Sequence, residues 1–179
     1  MNLGLFDGMG QKKLGSELGL GEDDTKELFE KYHARVPFVK QLMSLASKSA
    51  NDNGQVRTIL GRICHFDLYE PTKWGVHKPL PRDEAVRKYG SNLKRAFTYK
   101  ALNKLIQGSA ADQTKKAMVE VYKAGITPHI QVHDELNCSC EDMEQVKKIK
   151  EIMENCIELE VPSKVDPKIG ESWGTLKSL

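Results

Sequence analysis

Long apolar runs are missing from this sequence. No stretch approaches the roughly 18 residues that mark a membrane-crossing helix, so no membrane partner is expected. The N-terminus has no basic segment leading into an apolar core, which argues against a secretory signal. Cysteine is scarce: Cys64, Cys138, Cys140 and Cys156 are the four, and no two have Cys-x-x-Cys spacing. A reduced cytoplasmic setting is therefore expected, rather than a disulfide framework. A zinc site on Cys138, Cys140 and nearby histidines has the wrong spacing for the usual knuckles. A one-sided charge is also lacking. The 27 Lys and Arg against 25 Asp and Glu leave +2, so only the distribution of charge could point to nucleic acid. Internal repeats and low-complexity segments are absent.

What is there describes a soluble globular protein: 179 residues, 39% hydrophobic and 29% charged. That length bounds one ordinary domain or two small ones, with enough chain to bury a core unaided. The first twenty residues are glycine-rich and read as a broken helix end followed by a short helix. Asp24 and Glu27 offer a capping-box start for a helix that runs to the break near Pro37. A second helix is expected over about 38–48, and Asn51-Asp52-Asn53-Gly54 signals a turn. Residues 55–60 and 63–68 read as a hairpin about Gly61-Arg62. Residues 70–98, with Pro71, Pro79 and Pro81, read as irregular and basic, with Trp74, Tyr89, Phe97 and Tyr99 among the charges. Composition fits a phosphate-facing loop and an ordinary solvated loop equally well.

A long helix is predicted over about 98–123, ending at Gly125. Leu102, Leu105, Ile106, Ala110, Ala117, Met118 and Val121 form its apolar stripe. Strands follow over 126–132 and 136–140, then a helix carrying Met143, Val146, Ile149, Met153, Cys156 and Ile157. A last strand is predicted over 161–165.

His133-Asp134-Glu135 falls in the tight connection between two apolar strands. A turn can bring adjacent acids toward one cation, whereas strand neighbours point to opposite faces. Hard divalent ions take oxygen ligands, commonly one or two protein carboxylates beside substrate phosphates. A solvated acidic turn is the alternative that Asp134 and Glu135 alone leave open.

The surroundings carry more. Ile130-Gln131-Val132-His133-Asp134-Glu135-Leu136 resembles the third signature motif of family A (polymerase I-like) DNA polymerases. Ala101-Leu102-Asn103 and Ile106-Gln107-Gly108-Ser109-Ala110-Ala111-Asp112 resemble the helix preceding that motif. Asn2-Leu3-Gly4-Leu5-Phe6-Asp7-Gly8-Met9-Gly10 is similar to the last turns of the second motif, in the fingers. Glu30-Lys31-Tyr32-His33, Val36-Pro37, Thr58-Ile59-Leu60-Gly61-Arg62, Met153-Glu154-Asn155-Cys156, Val161-Pro162 and Gly170-Glu171-Ser172-Trp173 continue in the family's order. The resemblance covers nearly the whole chain and is weakest over 70–95.

The resemblance implies an α/β (α+β) fold: the C-terminal palm portion of a polymerase I-like right hand, plus a partial fingers subdomain. Residues 1–69 would be the partial fingers, 70–98 a basic connector, and 99–179 the palm portion with its catalytic hairpin packed on helices. Asp134 would be a ligand of catalytic Mg2+ and Glu135 a supporting acid. His133 would approach the primer terminus, and Asn103 and Gln107 the minor-groove edge of primer-template DNA. Arg62 would meet DNA or nucleotide phosphate, and Leu3 the sugar of an incoming deoxynucleoside triphosphate. Without the motif, Asn103 and Gln107 would be an exposed polar helix face and Arg62 a solvated arginine.

The family's first motif, with its second metal-ligand aspartate, has no counterpart here, nor do the arginine and lysine of the fingers helix. The expectation is a split polymerase, its two-metal site completed by an upstream polymerase chain, with the isolated chain inactive. Asp7 stands where the family has a tyrosine, which mildly favours an alternative, a non-catalytic DNA-binding remnant. A stand-alone two-metal nuclease would require more carboxylates near Asp134 than the sequence offers.

Overall fold

Glycine and proline set the helix boundaries at the start of the fold. The computed structural model describes residues 10–179. Helix α1 (Gln11–Leu18) closes on Gly19, and α2 (Glu22–Arg35) begins after Gly21. The expected capping box is not made: Asp24 lies inside the first turn, with Glu22 and Asp23, and no side chain caps the N-terminus. Three acids there still favour the positive end of the helix dipole. Val36 ends α2, and Pro37 opens α3 (Pro37–Asn53), where its missing N–H costs nothing. Helix α3 runs through Asn51–Asn53, which the sequence reading placed in a turn, and stops at Gly54 with φ 69°.

Strands β1 (Gln55–Arg57) and β2 (Ile63–His65) form the predicted hairpin, shorter than expected, with Val56 opposite Cys64. Residues 58–62 make a tight turn instead of strand. The Thr58 N–H donates to the Arg62 carbonyl (2.9 Å), and the Arg62 N–H donates to Thr58 Oγ1 (3.0 Å).

The stretch predicted to be irregular is ordered, which corrects the sequence reading. Strand β3 (Leu68–Pro71) pairs antiparallel with both β4 (Leu80–Pro81) and β5 (Leu93–Arg95), with α4 (Arg82–Tyr89) between those two in sequence. Pro81 is compatible with this because β4 is an edge strand in the order β4-β3-β5, and Pro71 ends β3 beyond the residues that pair with β4. The Arg95 guanidinium donates to the carbonyls of Phe66 (2.9 Å) and Asn51 (3.2 Å) and lies 5.1 Å from the Tyr69 ring centre. It thereby satisfies a carbonyl in the last turn of α3, where a cation also suits the helix dipole.

A short 3-10 turn (Thr98–Lys100) leads into α5 (Ala101–Lys123). Ala46, Ala50, Val56, Phe66, Ala101 and Leu102 form one buried cluster joining α3, the β1–β2 hairpin and the start of α5. Packing contacts divide the chain into two units at Gly108/Ser109, within α5.

The second unit starts within α5. That helix ends as predicted: the Gly125 N–H donates to the Tyr122 carbonyl (3.0 Å) and the Ile126 N–H to the Val121 carbonyl (3.2 Å), a Schellman arrangement. Val121 and Ile126 are both buried, as that motif favours, along with Ala117 and Ile157. Ile106 and Ala110, expected in the buried stripe, are exposed. Strands β6 (Pro128–Val132) and β7 (Glu135–Cys138) form an antiparallel hairpin. The following α6 (Met143–Asn155) is capped by Asp142, whose carboxylate accepts from the Gln145 N–H (2.9 Å). The strand expected over 161–165 does not form. Pro162 offers no N–H to a ladder, and the Val165 N–H donates to Glu154 Oε1 (2.9 Å). Strands β8 (Lys168–Ile169) and β9 (Lys177–Ser178) pair instead. No described helix is long and apolar enough to cross a membrane.

Two substitutions test this packing. A Cβ on Gly108 would stand 2.7 Å from Thr58 Cγ2. Gly108→Ala should therefore lower stability in urea unfolding, although alanine favours a helix by about 1 kcal/mol. Adding Thr58→Ser, which removes that methyl and keeps the hydroxyl, should restore most of the loss. Gly54→Ala combines a left-handed backbone, costing roughly 1–2 kcal/mol, with a Cβ 2.7 Å from the Arg95 guanidinium carbon. It should destabilise by at least that amount, and a neutral effect on the unfolding midpoint would contradict the arrangement.

Candidate active-site residues

The second unit presents its acids at the tip of the β6–β7 hairpin. Val132 pairs with Glu135, Gln131 with Leu136 and Ile130 with Asn137, and a bulge at His129 separates these from the pair Pro128–Cys138. Only His133 and Asp134 link the strands, so Glu135 begins β7 and does not share the turn as expected. His133 has φ 52°, one of two described non-glycine residues on the left-handed side. Histidine is among the side chains more often found there. Gln131 Nε2 donates to the His133 carbonyl and braces the turn from within its own strand.

His133, Asp134 and Glu135 are all exposed. Exposed carboxylates keep their hydration until a cation replaces it, which suits a hard divalent ion better than a soft one. Among the described residues, no group of three or more His, Cys, Asp and Glu could hold a metal ion. Burial pushes the Cys138 thiol up, with Cys140 adding to the effect; burial and then Asp142 push Cys140 up.

In the first unit, Asn103 is half-buried and Gln107 exposed on α5, four residues apart and so on one helix face. Arg62 meets the same stretch of helix, with Nη2 donating to the Gly108 carbonyl at 2.8 Å. Its guanidinium is therefore partly committed to packing. Leu3, along with Asp7, lies outside the described residues.

Sequence reasoning missed the cations that flank this face. Lys104 Nζ lies 4.8 Å from the Phe66 ring centre, and Lys100 Nζ lies 5.1 Å and 5.7 Å from those of Phe97 and Tyr99. The signal was available in part, since Lys100 and Lys104 are one helical turn apart with aromatics just upstream.

Comparison with known proteins bears on what this arrangement serves. The model of DNA polymerase family A matches residues 1–175. A DNA-directed DNA polymerase of Pseudomonas phage M6 is 41% identical over 82% of this chain and 19% of its own length. DNA polymerase I of Lactococcus lactis subsp. cremoris is 33% identical over 97% of this chain and 19% of its own. The chain thus spans about a fifth of the curated relatives it matches. The polymerase domain of Pol1 from M. smegmatis, solved with DNA primer-template and dNTP, superimposes with a TM-score of 0.69. It is 29% identical and is matched over 90% of this chain and 27% of that one. The mixed helix-and-sheet architecture is that of a polymerase domain, and the chain belongs to DNA polymerase family A.

Proposed function

We propose that this chain contributes a metal-ligand aspartate and primer-template contacts to template-directed deoxynucleotidyl transfer in DNA replication. The observation that carries the reading is Asp134, exposed at a two-residue hairpin tip, within a match to DNA polymerase family A over 1–175. The reaction is attack of a primer 3′ hydroxyl on the α-phosphate of a deoxynucleoside triphosphate, with pyrophosphate leaving.

The donor chemistry fits Mg2+: Asp134 supplies carboxylate oxygens in a solvated turn, and Glu135 a second acid beside it. Asp134, with Glu135 beside it, would help to hold such ions, which would supply Lewis-acid stabilisation of the charge developing during nucleotidyl transfer. His133, held at the turn by its left-handed backbone, is assigned to the primer terminus. Asn103 and Gln107 are assigned to the minor-groove edge of the nascent pair, where acceptors common to all base pairs permit a check of shape. Arg62 positions the helix beside them through Gly108 and is assigned to DNA or nucleotide phosphate. Leu3 is assigned to the nucleotide sugar.

Asp134 and Glu135 are too few to complete a two-ion site, and no larger metal-ligating group occurs among the described residues. In the split-enzyme form of this proposal, the second aspartate comes from a separate upstream family A polypeptide. The isolated chain is then inactive. One feature favours a second reading, a DNA-binding remnant without catalysis: Asp7, an acid where the family has tyrosine.

Primer extension tests the proposal, using the tagged chain recovered with whatever binds it in its native cell and the chain alone as control. The complex should extend a primer, and the chain alone should not. Asp134→Asn should lower extension on the order of 10²–10³-fold, the size typical of losing one preorganised charge-stabilising group. No extension from a complex that contains a motif-bearing partner would leave the remnant as the better account. Separately, Gln107→Ala should weaken primer-template binding while leaving its salt dependence near that of the parent, because an amide neutralises no phosphate. A changed slope would remove Gln107 from the base-edge assignment.

A further inference from the structure

The loop between β3 and β4 is firmly built at its base and exposes its largest apolar side chains at its tip. The Thr72 N–H donates to the Asn92 carbonyl (3.2 Å), and Tyr89 Oη donates to the Lys78 carbonyl (3.1 Å). The His77 ring packs edge-on against Tyr89, with centroids 5.8 Å apart. Pro71 is buried beneath. Between these anchors, Gly75 turns the chain at φ 149°, and Trp74 and Val76 stand fully exposed at 100% and 104%. Nothing in the packing of this unit requires a tryptophan there. An indole wholly in water forgoes the burial that usually recompenses its large apolar area.

Charge decides what would cover it. Residues 72–79 carry Lys73, His77 and Lys78 and no acid. Arg82, Arg87 and Lys88 follow on α4, against Asp83 and Glu84 in its first turn. The side chains of Lys73, Lys78 and Arg82 form no ion pair among the described residues, whereas Lys94 pairs with Glu70 (3.4 Å) and Arg95 is bound to backbone carbonyls. Lysine is depleted from the cores of protein–protein interfaces. Exposed aromatics flanked by lysines instead match platforms for single-stranded nucleic acid, on which bases stack while cations follow the backbone. Duplex DNA keeps its bases stacked on one another and offers Trp74 no free face.

We propose that the 72–79 loop is a second nucleic-acid contact, where Trp74 stacks on a base of a single-stranded segment and Lys73 and Lys78 neutralise its phosphates. This extends the polymerase reading only in taking nucleic acid as the polyanion. Two sources present the same chemistry: unpaired template ahead of the primer, and a strand displaced from the duplex.

The test is a fluorescence titration of the full chain carrying Trp173→Phe, so that Trp74 is the sole indole. The probes are oligodeoxythymidine, a duplex with a template overhang, a duplex with a displaced flap, and a blunt duplex. Quenching is expected with the three probes that hold single strand and not with the blunt duplex. The overhang and flap arms rank the two sources by their half-saturation concentrations. Trp74→Ala, read by anisotropy of labelled oligodeoxythymidine, should weaken binding about 5- to 150-fold, the range for one stacked base. Trp74→Phe should recover most of it. Lys73→Gln with Lys78→Gln should reduce the slope of log affinity against log salt by about 1.4, at about 0.7 per single-strand phosphate contact. Because Trp74 is solvent-exposed, these variants should keep the parent unfolding midpoint. Equal quenching by blunt duplex, or unchanged affinity in Trp74→Ala, would overturn the proposal and point to a covering protein segment. Failure of the polymerase reading would show in primer extension, which this titration does not measure.

Discussion

The first unit depends on a backbone-to-side-chain approach too close for any residue but glycine. At Gly108, helix α5 meets the turn of the β1–β2 hairpin with no room for a Cβ against the Thr58 methyl. Thr58 serves both sides of that contact: its hydroxyl accepts the Arg62 N–H to close the turn, and its methyl meets the helix. Arg62 then returns a hydrogen bond to the Gly108 carbonyl. A glycine in a helix interior costs about 1 kcal/mol relative to alanine, and this threefold contact offsets it. The buried cluster around Phe66 and Leu102 includes residues of the hairpin and of α5, together with Ala46 and Ala50 of α3, so the approach at Gly108 bears on how that cluster closes. Asn103 and Gln107 lie within the preceding helical turns, where the same contact fixes their face.

Formal charge and usable charge differ in this protein. Arg95 spends its guanidinium on the end of α3, Lys94 neutralises Glu70, and Lys104 lies over the Phe66 ring. These cations hold the unit together. Among the described residues the lysines of the 72–79 loop have no such partners, and the acids of the β6–β7 hairpin stand in solvent. A net charge of +2 conceals that separation between structural charges and those free to meet a phosphate or a metal ion.

Much of this was legible in the sequence where one local signal sufficed. The β6–β7 hairpin, the end of α5 at Gly125 and the α6 pattern from Met143 to Asn155 each follow from nearest neighbours along the chain. The stretch 70–98 was misread because its order comes from partners far apart: Tyr69 faces both Leu80 and Arg95. Its prolines suggested irregularity, yet α4 has acids in its first turn, bases in its last and Gly90 after it. The strand expected over 161–165 failed for a local reason, Pro162, that β-branched valines outweighed in the reading. The acid pair was found by its oddity in a turn, although only Asp134 lies there. Trp74 was visible in the sequence among the basic residues, but nothing in a composition tells an anchoring aromatic from an exposed one.

The hairpin tip carries a further consequence. Its two linking residues leave no slack between Val132 and Glu135. Inserting or deleting one residue would slide β7 by one position and turn every side chain from Glu135 to Cys138 onto the opposite face. Variation at this place is therefore confined to exchange of one side chain for another. The length of the turn is fixed by pairing geometry, independently of whatever chemistry Asp134 performs.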